Sequence, residues 1–182
     1  YEFTYVLDAL SQLSTIGNAL VLGLGAGVLP AKLSSKGFKV DAIDIDPITL
    51  DIAKNFFRYK PKNTSFFFED ARTYVKKCKK KYDLIILDFF ADGDPEHLTT
   101  KEFYQNLDNC LNDNGVVISN TLMDFSNELA LNSVLSTFSS QFDDLHYFHV
   151  LDDEVNNLYI IAGKNGTSKR VEGFKLDLDF IP

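Results

Sequence analysis

The sequence contains few of the cysteines that disulfide-bonded or metal-stabilised folds require. Its 182 residues include no tryptophan, one methionine and two cysteines. Cys78 and Cys110 have neither metal-ligand spacing nor the pattern of a disulfide framework, so we expect reduced thiols and no metal site. No apolar run approaches the ~20 residues that span a bilayer, and no signal peptide is visible. These absences exclude a disulfide-stapled secreted domain and predict a cytoplasmic protein without membrane partners.

Positive charge is also scarce. Lys and Arg number 18 against 26 Asp and Glu, which gives a net charge of −8. This balance argues against a general nucleic-acid binder, which normally presents a basic surface. The hydrophobic content of 45% and the aromatic content of 13% indicate a globular chain with a sizeable core. We expect one domain over residues 1–163, followed by a polar turn and a C-terminal tail over residues 164–182.

Three glycines stand at alternate positions after a short apolar run. Gly23, Gly25 and Gly27 follow Ala19 to Leu22, and helical spacing then runs from Val28 to Ser35. A strand that turns through glycines into a helix brings backbone N–H groups close to a ligand, and glycine removes the Cβ that would block it. The pattern predicts a nucleotide-binding turn, with a tight turn that binds no ligand as the alternative.

Strand-like apolar runs alternate with helical patterns along the chain. Strands are expected at 19–24, 39–45, 65–68, 83–88 and 116–120, each followed by a helix. Five such alternations predict an α/β fold with a doubly wound parallel sheet and helices on both faces. Two last strands, at 146–151 and 158–162, are joined by a polar turn that suits an antiparallel hairpin. Ligands of such sheets bind at the carboxyl ends of the strands.

Acidic residues stand at the ends of three successive predicted strands. Asp44 follows the glycines by about 20 residues, the position of a carboxylate that holds ribose hydroxyls. Asp70 is placed to accept a hydrogen bond from an adenine amino group, although a helix-capping role would explain it without a ligand. Asp88 ends the apolar fourth strand, where a carboxylate can orient or deprotonate an amine. With the glycine turn, these acids describe an adenosine site with its chemistry near Asp88.

The loop after the fourth strand carries the candidate substrate-binding residues. We expect Phe89 to form a wall of the acceptor pocket and Asp92 to contact the acceptor. Two alternatives remain open: Phe89 packs on the core as a loop anchor, and Asp92 is a turn residue facing solvent.

Four segments together resemble the class I S-adenosylmethionine-dependent transferases, and more narrowly their spermidine-synthase-like branch. They are Val21-Leu-Gly-Leu-Gly-Ala-Gly27, Val40-Asp-Ala-Ile-Asp-Ile-Asp-Pro47, Glu69-Asp70-Ala71 and Tyr82-Asp-Leu-Ile-Ile-Leu-Asp88. The resemblance implies a Rossmann-like, mostly parallel seven-stranded sheet whose last strand is antiparallel. It also implies S-adenosylmethionine or its decarboxylated form as cofactor, a homodimer, and Asp88 as the acid that deprotonates the attacking amine.

The chain departs from the polyamine aminopropyltransferases at three places. Ala26 stands where those enzymes carry an Asp that meets the cationic end of decarboxylated S-adenosylmethionine. Ordinary S-adenosylmethionine has a carboxylate there, which an Asp would repel by on the order of a few kcal/mol. The signature Asp-Ser-Ser-Asp-Pro is altered to Asp88-Phe-Phe-Ala-Asp92-Gly-Asp-Pro95, and the small N-terminal β domain is not visible in this sequence.

These departures favour methyl transfer from S-adenosylmethionine to a nucleophilic acceptor, such as an amine of a small molecule or a protein. Aminopropyl transfer to a polyamine uses the same cleft and is the first alternative. A catalytically silent nucleotide-binding homologue is the second. A nicotinamide dehydrogenase is disfavoured, because Val28 would have to stand at the third glycine of Gly-x-Gly-x-x-Gly.

Overall fold

The computed structural model describes residues 2–89, 98–122, 127–151 and 156–175. Its strands are β1 (Asn18–Leu22), β2 (Lys39–Asp44), β3 (Thr64–Phe68), β4 (Tyr82–Leu87), β5 (Leu111–Leu122), β6 (Asp144–Leu151) and β7 (Asn156–Gly163). Its helices are α1 (Glu2–Leu10), α2 (Val28–Ser35), α3 (Ile48–Phe56), α4 (Ala71–Lys77), α5 (Lys101–Cys110), α6 (Glu128–Ser139) and α7 (Thr167–Glu172). One turn of 3-10 helix, Ser11–Leu13, extends α1.

The strands form one sheet in the order β3-β2-β1-β4-β5-β7-β6. The first five of these are parallel, whereas β7 runs antiparallel to both β5 and β6. The predicted α/β class, a Rossmann-like, doubly wound, mostly parallel sheet of seven strands, is therefore confirmed. The order reverses between β1 and β4, and the carboxyl ends of these two strands form the switch point where such sheets bind ligands.

Helices cover both faces of the sheet, as predicted. Successive residues of a strand point to opposite faces, so the central strands contribute side chains to two cores. On one face, Ile86 of β4 packs in a core with residues of α1 and α2, such as Leu7 and Leu33. On the other face, Ile85 packs with residues of α4, α5 and α6, such as Phe103. Within the described ranges, no helix is long and apolar enough to cross a membrane.

The start of β5 differs from the sequence prediction. A turn was expected at Asp113-Asn-Gly115, with the strand beginning at Val116. In the structure, Tyr82 pairs with Leu111 and Leu84 with Val116, so the ladder is irregular between these two pairs. The polar residues expected as a turn thus lie within the bounds of the strand, as an irregular stretch of the kind seen at β-bulges.

The stretch 164–182, expected to be a turn and a tail, contains the short helix α7. The carboxylate of Asp144 accepts hydrogen bonds from the Ser168 N–H at 3.1 Å and from its hydroxyl at 2.9 Å. The Arg170 guanidinium donates to the carbonyl oxygen of Asn114 at 2.9 Å. These contacts attach α7 to β6 and to the polar stretch of β5. Six residues are too few for helical periodicity to stand out in the sequence.

Candidate functional site

A cavity of about 420 Å³ opens at the carboxyl ends of the central strands, beside the switch point. Its wall includes four acidic residues: Asp44, Glu69, Asp70 and Asp88. The other described lining residues are Gly23, Gly25, Ile43, Ile45, Thr49, Ala71, Phe89 and Leu98. Among these described lining residues there is no Lys, Arg or His. The volume suits a small-molecule ligand, and the charge of the wall suits a cationic one.

The three glycines of the turn have different neighbours, although all have positive φ angles. A Cβ on Gly23 would collide with the carbonyl oxygen of Asp88, so this glycine allows the ends of β1 and β4 to approach. Gly25 borders the cavity, and a Cβ there would meet open space. Gly27 faces the Tyr59 ring, 2.6 Å from its would-be Cβ, and is not among the residues that line the cavity. The structure therefore gives Gly27 a packing role, and its part in cofactor binding stays a prediction.

Asp44 is held rigidly at the end of β2. Its Oδ2 accepts a hydrogen bond from the Leu24 N–H at 2.9 Å, and its Oδ1 accepts one from the Asp46 N–H at 3.0 Å. A carboxylate offers about four acceptor positions, so these two bonds leave capacity for two hydroxyl donors. The arrangement ties Asp44 to the glycine turn and is compatible with the predicted ribose contact.

Asp70 begins α4 and lines the cavity at the same time. Its Oδ1 accepts hydrogen bonds from the Thr73 N–H at 2.8 Å and from the Thr73 hydroxyl at 3.0 Å. The helix-capping role that the sequence also allows for Asp70 is thus present. The expected contact with an adenine amino group stays a prediction. Beside it, the Glu69 carboxylate pairs with the Lys77 ammonium at 2.7 Å.

Asp88 follows β4 directly and is fixed on two sides. Its N–H donates to the Leu22 carbonyl at 2.9 Å, and its Oδ1 accepts a hydrogen bond from Asn120 Nδ2 at 3.2 Å. Burial raises the pKa of the Asp88 carboxyl from 3.8 to about 6, and the Asn120 hydrogen bond opposes part of that rise. At neutral pH this carboxylate is mostly ionised and can accept a proton.

Phe89 both lines the cavity and packs on the core. Its ring lies 6.3 Å from the Phe103 ring, centroid to centroid, in an edge-to-face arrangement. The two expectations for Phe89, pocket wall and loop anchor, are therefore compatible. Asp92, the other candidate for substrate binding, lies outside the described residues.

Two residues of the site did not emerge from the sequence. Asn120 is 3% exposed and directly follows Ser119, the last residue of β5 that pairs with β4. Its signal was a polar residue at the end of an apolar strand, the same signal that identified Asp88. Ile45 lines the cavity next to Asp44 although it is 73% exposed, so it offers an apolar surface to a ligand. An isoleucine at a strand end carries no sequence signal for such a role.

Comparison with known proteins identifies relatives over most of the chain. A family model described as "Spermine/spermidine synthase domain" matches residues 10–168. A polyamine aminopropyltransferase of Vibrio vulnificus is 33% identical over 148 residues, which cover 78% of this chain and 48% of that protein. An N-terminal histidine N-methyltransferase of Emericella nidulans is 36% identical over 130 residues, 66% of this chain and 23% of that protein. The chain thus spans about half, or less, of the length of these curated relatives.

The fold is also found in solved structures. Human methyltransferase-like protein 13, in complex with SAH, superposes with a TM-score of 0.71 at 21% identity. The match covers 99% of this chain and 93% of that one. At this level of identity the likeness shows a shared fold.

Proposed function

This chain belongs to the spermine/spermidine synthase family, and from that premise we propose that it transfers the aminopropyl group of decarboxylated S-adenosylmethionine to an amine. The observation that carries the proposal is the charge of the cavity. Its described lining has four carboxylates, of which Glu69 is paired with Lys77, and no cation. The decarboxylated donor has a sulfonium and an ammonium group and no carboxylate, so the field of the cavity attracts both of its charges. This ranks aminopropyl transfer above the methyl transfer that the sequence favoured.

The donor would lie along the strand ends with its nucleoside at β2 and β3. Asp44 accepts hydrogen bonds from the ribose hydroxyls, and Asp70 accepts one from the adenine amino group. Ile45 supplies an apolar surface for the base, and Gly25 allows the backbone to approach the donor. Each assignment is supported by the position of the residue on the cavity wall.

The reaction itself needs positioning and one proton acceptor. The nitrogen lone pair of a neutral amine attacks the donor carbon next to the sulfonium, the carbon–sulfur bond breaks, and 5′-methylthioadenosine leaves as a neutral thioether. The Asp88 carboxylate accepts the proton that the amine nitrogen loses. Phe89 forms a wall of the acceptor pocket, and Asp92 is proposed to contact the acceptor.

Methyl transfer is the second candidate, and two observations favour it. Ala26 leaves the glycine loop without the acid that selects the decarboxylated donor in the aminopropyltransferases. The relative from Emericella nidulans is named as a methyltransferase. In this reaction ordinary S-adenosylmethionine donates its methyl group to the acceptor nitrogen, S-adenosylhomocysteine leaves, and Asp88 keeps its role.

Calorimetric titration with the two donors, side by side, separates the candidates. Tighter binding of the decarboxylated donor, followed by its turnover with a panel of diamines, is the expected result. Tighter binding of S-adenosylmethionine would overturn aminopropyl transfer in favour of methyl transfer. If neither donor bound, the chain would lack the proposed nucleotide site. The variant Ala26→Asp provides a control, because an acid at this position should weaken binding of S-adenosylmethionine more than binding of the decarboxylated form.

A further inference from the structure

We propose that Asn120 is a positioning residue for Asp88: its side-chain amide fixes the orientation of the carboxylate and keeps it ready to accept a proton. The inference rests on the proposed group transfer, because it assigns the group that controls the proton acceptor of that reaction. Its basis is the 3.2 Å hydrogen bond from Asn120 Nδ2 to Asp88 Oδ1. Leu87 pairs with Ser119 in the β4–β5 ladder, so the next residue on each strand stands at the same edge of the sheet.

The burial of Asn120 argues against a purely structural role. The residue is 3% exposed, and its carbonyl Oδ1 is buried without a hydrogen-bond partner in the part of the chain that the structure describes. A buried polar atom without a partner is unfavourable, and an apolar side chain of the same size would avoid the penalty. A buried amide that donates to the Asp88 carboxylate while its oxygen has no partner among the described residues is the kind of local cost found at functional sites.

Among the described side chains around Asp88, the Asn120 amide is the one that favours the ionised form of the carboxylate. The end of β1 presents Gly23, which has no side chain, and the residue after Asp88 is the apolar Phe89. The titratable groups that share the cavity wall with Asp88 are acids, namely Asp44, Glu69 and Asp70, and no described lining residue is a cation. Burial favours the protonated form, and the donated N–H of Asn120 opposes it.

The test is the pH dependence of kcat/KM in Asn120→Leu, which keeps the size of the side chain and removes its donor. In the unchanged protein, kcat/KM should rise through a midpoint near the Asp88 pKa of about 6. Without the N–H, the ionised carboxylate is less favoured, so we expect the midpoint to move up by about one pH unit. Activity at pH 7 should fall about two-fold, because the ionised fraction of Asp88 drops from about nine-tenths to about half, and it should recover in more alkaline buffer. The calorimetric Kd for the donor should stay unchanged.

Asn157→Leu is the matched control. Asn157 lies on β7, pairs with Leu122 and also has a buried carbonyl Oδ1 without a partner in the described residues. The same chemical change there should leave the midpoint in place. If Asn120→Leu does not fold, Asn120→Asp keeps the size and polarity of the side chain and replaces the donor by a carboxylate. That variant should move the midpoint up further, because a second negative charge disfavours ionisation of Asp88.

Two results would overturn the proposal: a midpoint unmoved in Asn120→Leu, or an equal shift in Asn157→Leu. A uniform loss of rate at every pH counts as an unmoved midpoint. Failure of the proposed function is recognised separately, because the unchanged protein would then prefer S-adenosylmethionine or bind neither donor. In that case an NMR titration of the Asp88 side-chain carboxyl carbon, with and without Asn120→Leu, still decides the matter. An unchanged pKa between the two proteins would contradict the inference.

Discussion

Asp88 must be ionised to accept a proton, yet it sits where ionisation is unfavourable. Burial raises its pKa from 3.8 to about 6. A carboxyl whose pKa is higher in the folded than in the unfolded chain contributes full stability below pH 3.8, and this contribution is lost as the pH rises through about 6. At pH 7 the folded protein therefore bears the cost of a buried negative charge, and removing that charge should stabilise the fold.

We expect Asp88→Asn to be more stable than the unchanged protein at pH 7. A shift of two pH units sets an upper limit of about 3 kcal/mol, and partial solvation through the cavity should leave about 1–2 kcal/mol. Urea unfolding at pH 7 and at pH 4.5 measures the difference, which should shrink at the lower pH, where Asp88 is mostly protonated. Group-transfer activity should be lost. A variant that is less stable at pH 7 would contradict this account of the site.

Gly23 in the glycine turn and Gly166 before α7 both have positive φ angles, but only Gly23 is in close contact with another segment. In Gly23→Ala, the new methyl group meets the Asp88 backbone while the residue is held at a φ of +105°, so we expect a loss of about 3 kcal/mol or more. Gly166→Ala is the control, because its φ of +90° is also positive but open space surrounds the position. The control should lose only the conformational part, about 1–2 kcal/mol. Equal losses in urea unfolding would show that contact with Asp88 does not matter.

The glycines and the strand-end acids can be located from the sequence, but its pattern predicts one shared role for the three glycines. The spacing of Gly23, Gly25 and Gly27 indicates a special backbone, whereas the neighbours that distinguish them come from distant segments. Tyr59, which faces Gly27, belongs to the loop after α3, and no local pattern connects the two. The contact between Asn120 and Asp88 was hidden for the same reason, because it depends on the pairing of β4 with β5.

At the scale of elements, a network of hydrogen-bonded polar side chains connects two strands that are not neighbours. The Tyr82 hydroxyl on β4 donates to Asp41 Oδ2 on β2 at 2.7 Å, across the intervening β1. The Tyr74 hydroxyl of α4 lies 2.7 Å from the Tyr82 hydroxyl, and the Lys80 ammonium pairs with Asp41 at 2.7 Å. These hydrogen bonds and the ion pair fix the spacing of β2, β4 and α4, the elements that lead to Asp44 and Asp88.

Tyr82→Phe should therefore destabilise the protein, although it removes a single oxygen atom. The change deprives Asp41 and Tyr74 of a shared partner in a buried setting, which costs about 1–3 kcal/mol. Urea unfolding measures the loss. Tyr147→Phe is the control, since Tyr147 on β6 is 53% exposed and its hydroxyl can bond to water. If Tyr82→Phe loses no more free energy of unfolding than the control, the hydrogen bonds among Tyr74, Tyr82 and Asp41 contribute no net stability.

Most elements could be predicted because their signals are local. Caps such as Thr100, whose side chain accepts a hydrogen bond from the Phe103 N–H, and the apolar runs of β1 and β4 are read within a few residues. The irregular start of β5 does not follow from the sequence, since Asp113-Asn-Gly115 has turn-forming residues. Only its position between the Tyr82–Leu111 and Leu84–Val116 pairings includes it in the strand. Helix α7 was missed because its hydrogen-bond partners lie on β5 and β6.

At the scale of the molecule, the sheet order brings residues from four strand ends around one cavity. Asp44, Asp70 and Asp88 are separated by 26 and then 18 positions in the sequence, yet all three line that cavity. A doubly wound, mostly parallel sheet of seven strands could be predicted from the resemblance and from the alternation of helices and strands, whereas the order of the strands comes from the structure. The acidic character of the cavity could also be predicted, from the three strand-end acids. The lack of a cation among the described lining residues could not, because it depends on which residues do not reach the cavity.

A ligand that binds only the folded chain must stabilise it, so donor binding can be read from thermal unfolding. At a donor concentration of 100 Kd the stabilisation is about 2.7 kcal/mol, which corresponds to roughly 5–11 °C in Tm for a domain of this size. We expect the decarboxylated donor to reach this shift at a lower concentration than S-adenosylmethionine.

Asp44→Ala should abolish the donor-dependent shift. Asp44 also accepts the N–H groups of Leu24 and Asp46, so its removal lowers the Tm of the ligand-free protein as well. The quantity to compare is therefore the difference in Tm with and without donor, measured within each variant. Asp51→Ala is the control, because Asp51 is an exposed acid on α3 that does not line the cavity. If the donor-dependent shift in Tm survives in Asp44→Ala, Asp44 does not contact the ribose. If the shift is lost in both variants, the effect is one of long-range charge and not of contact.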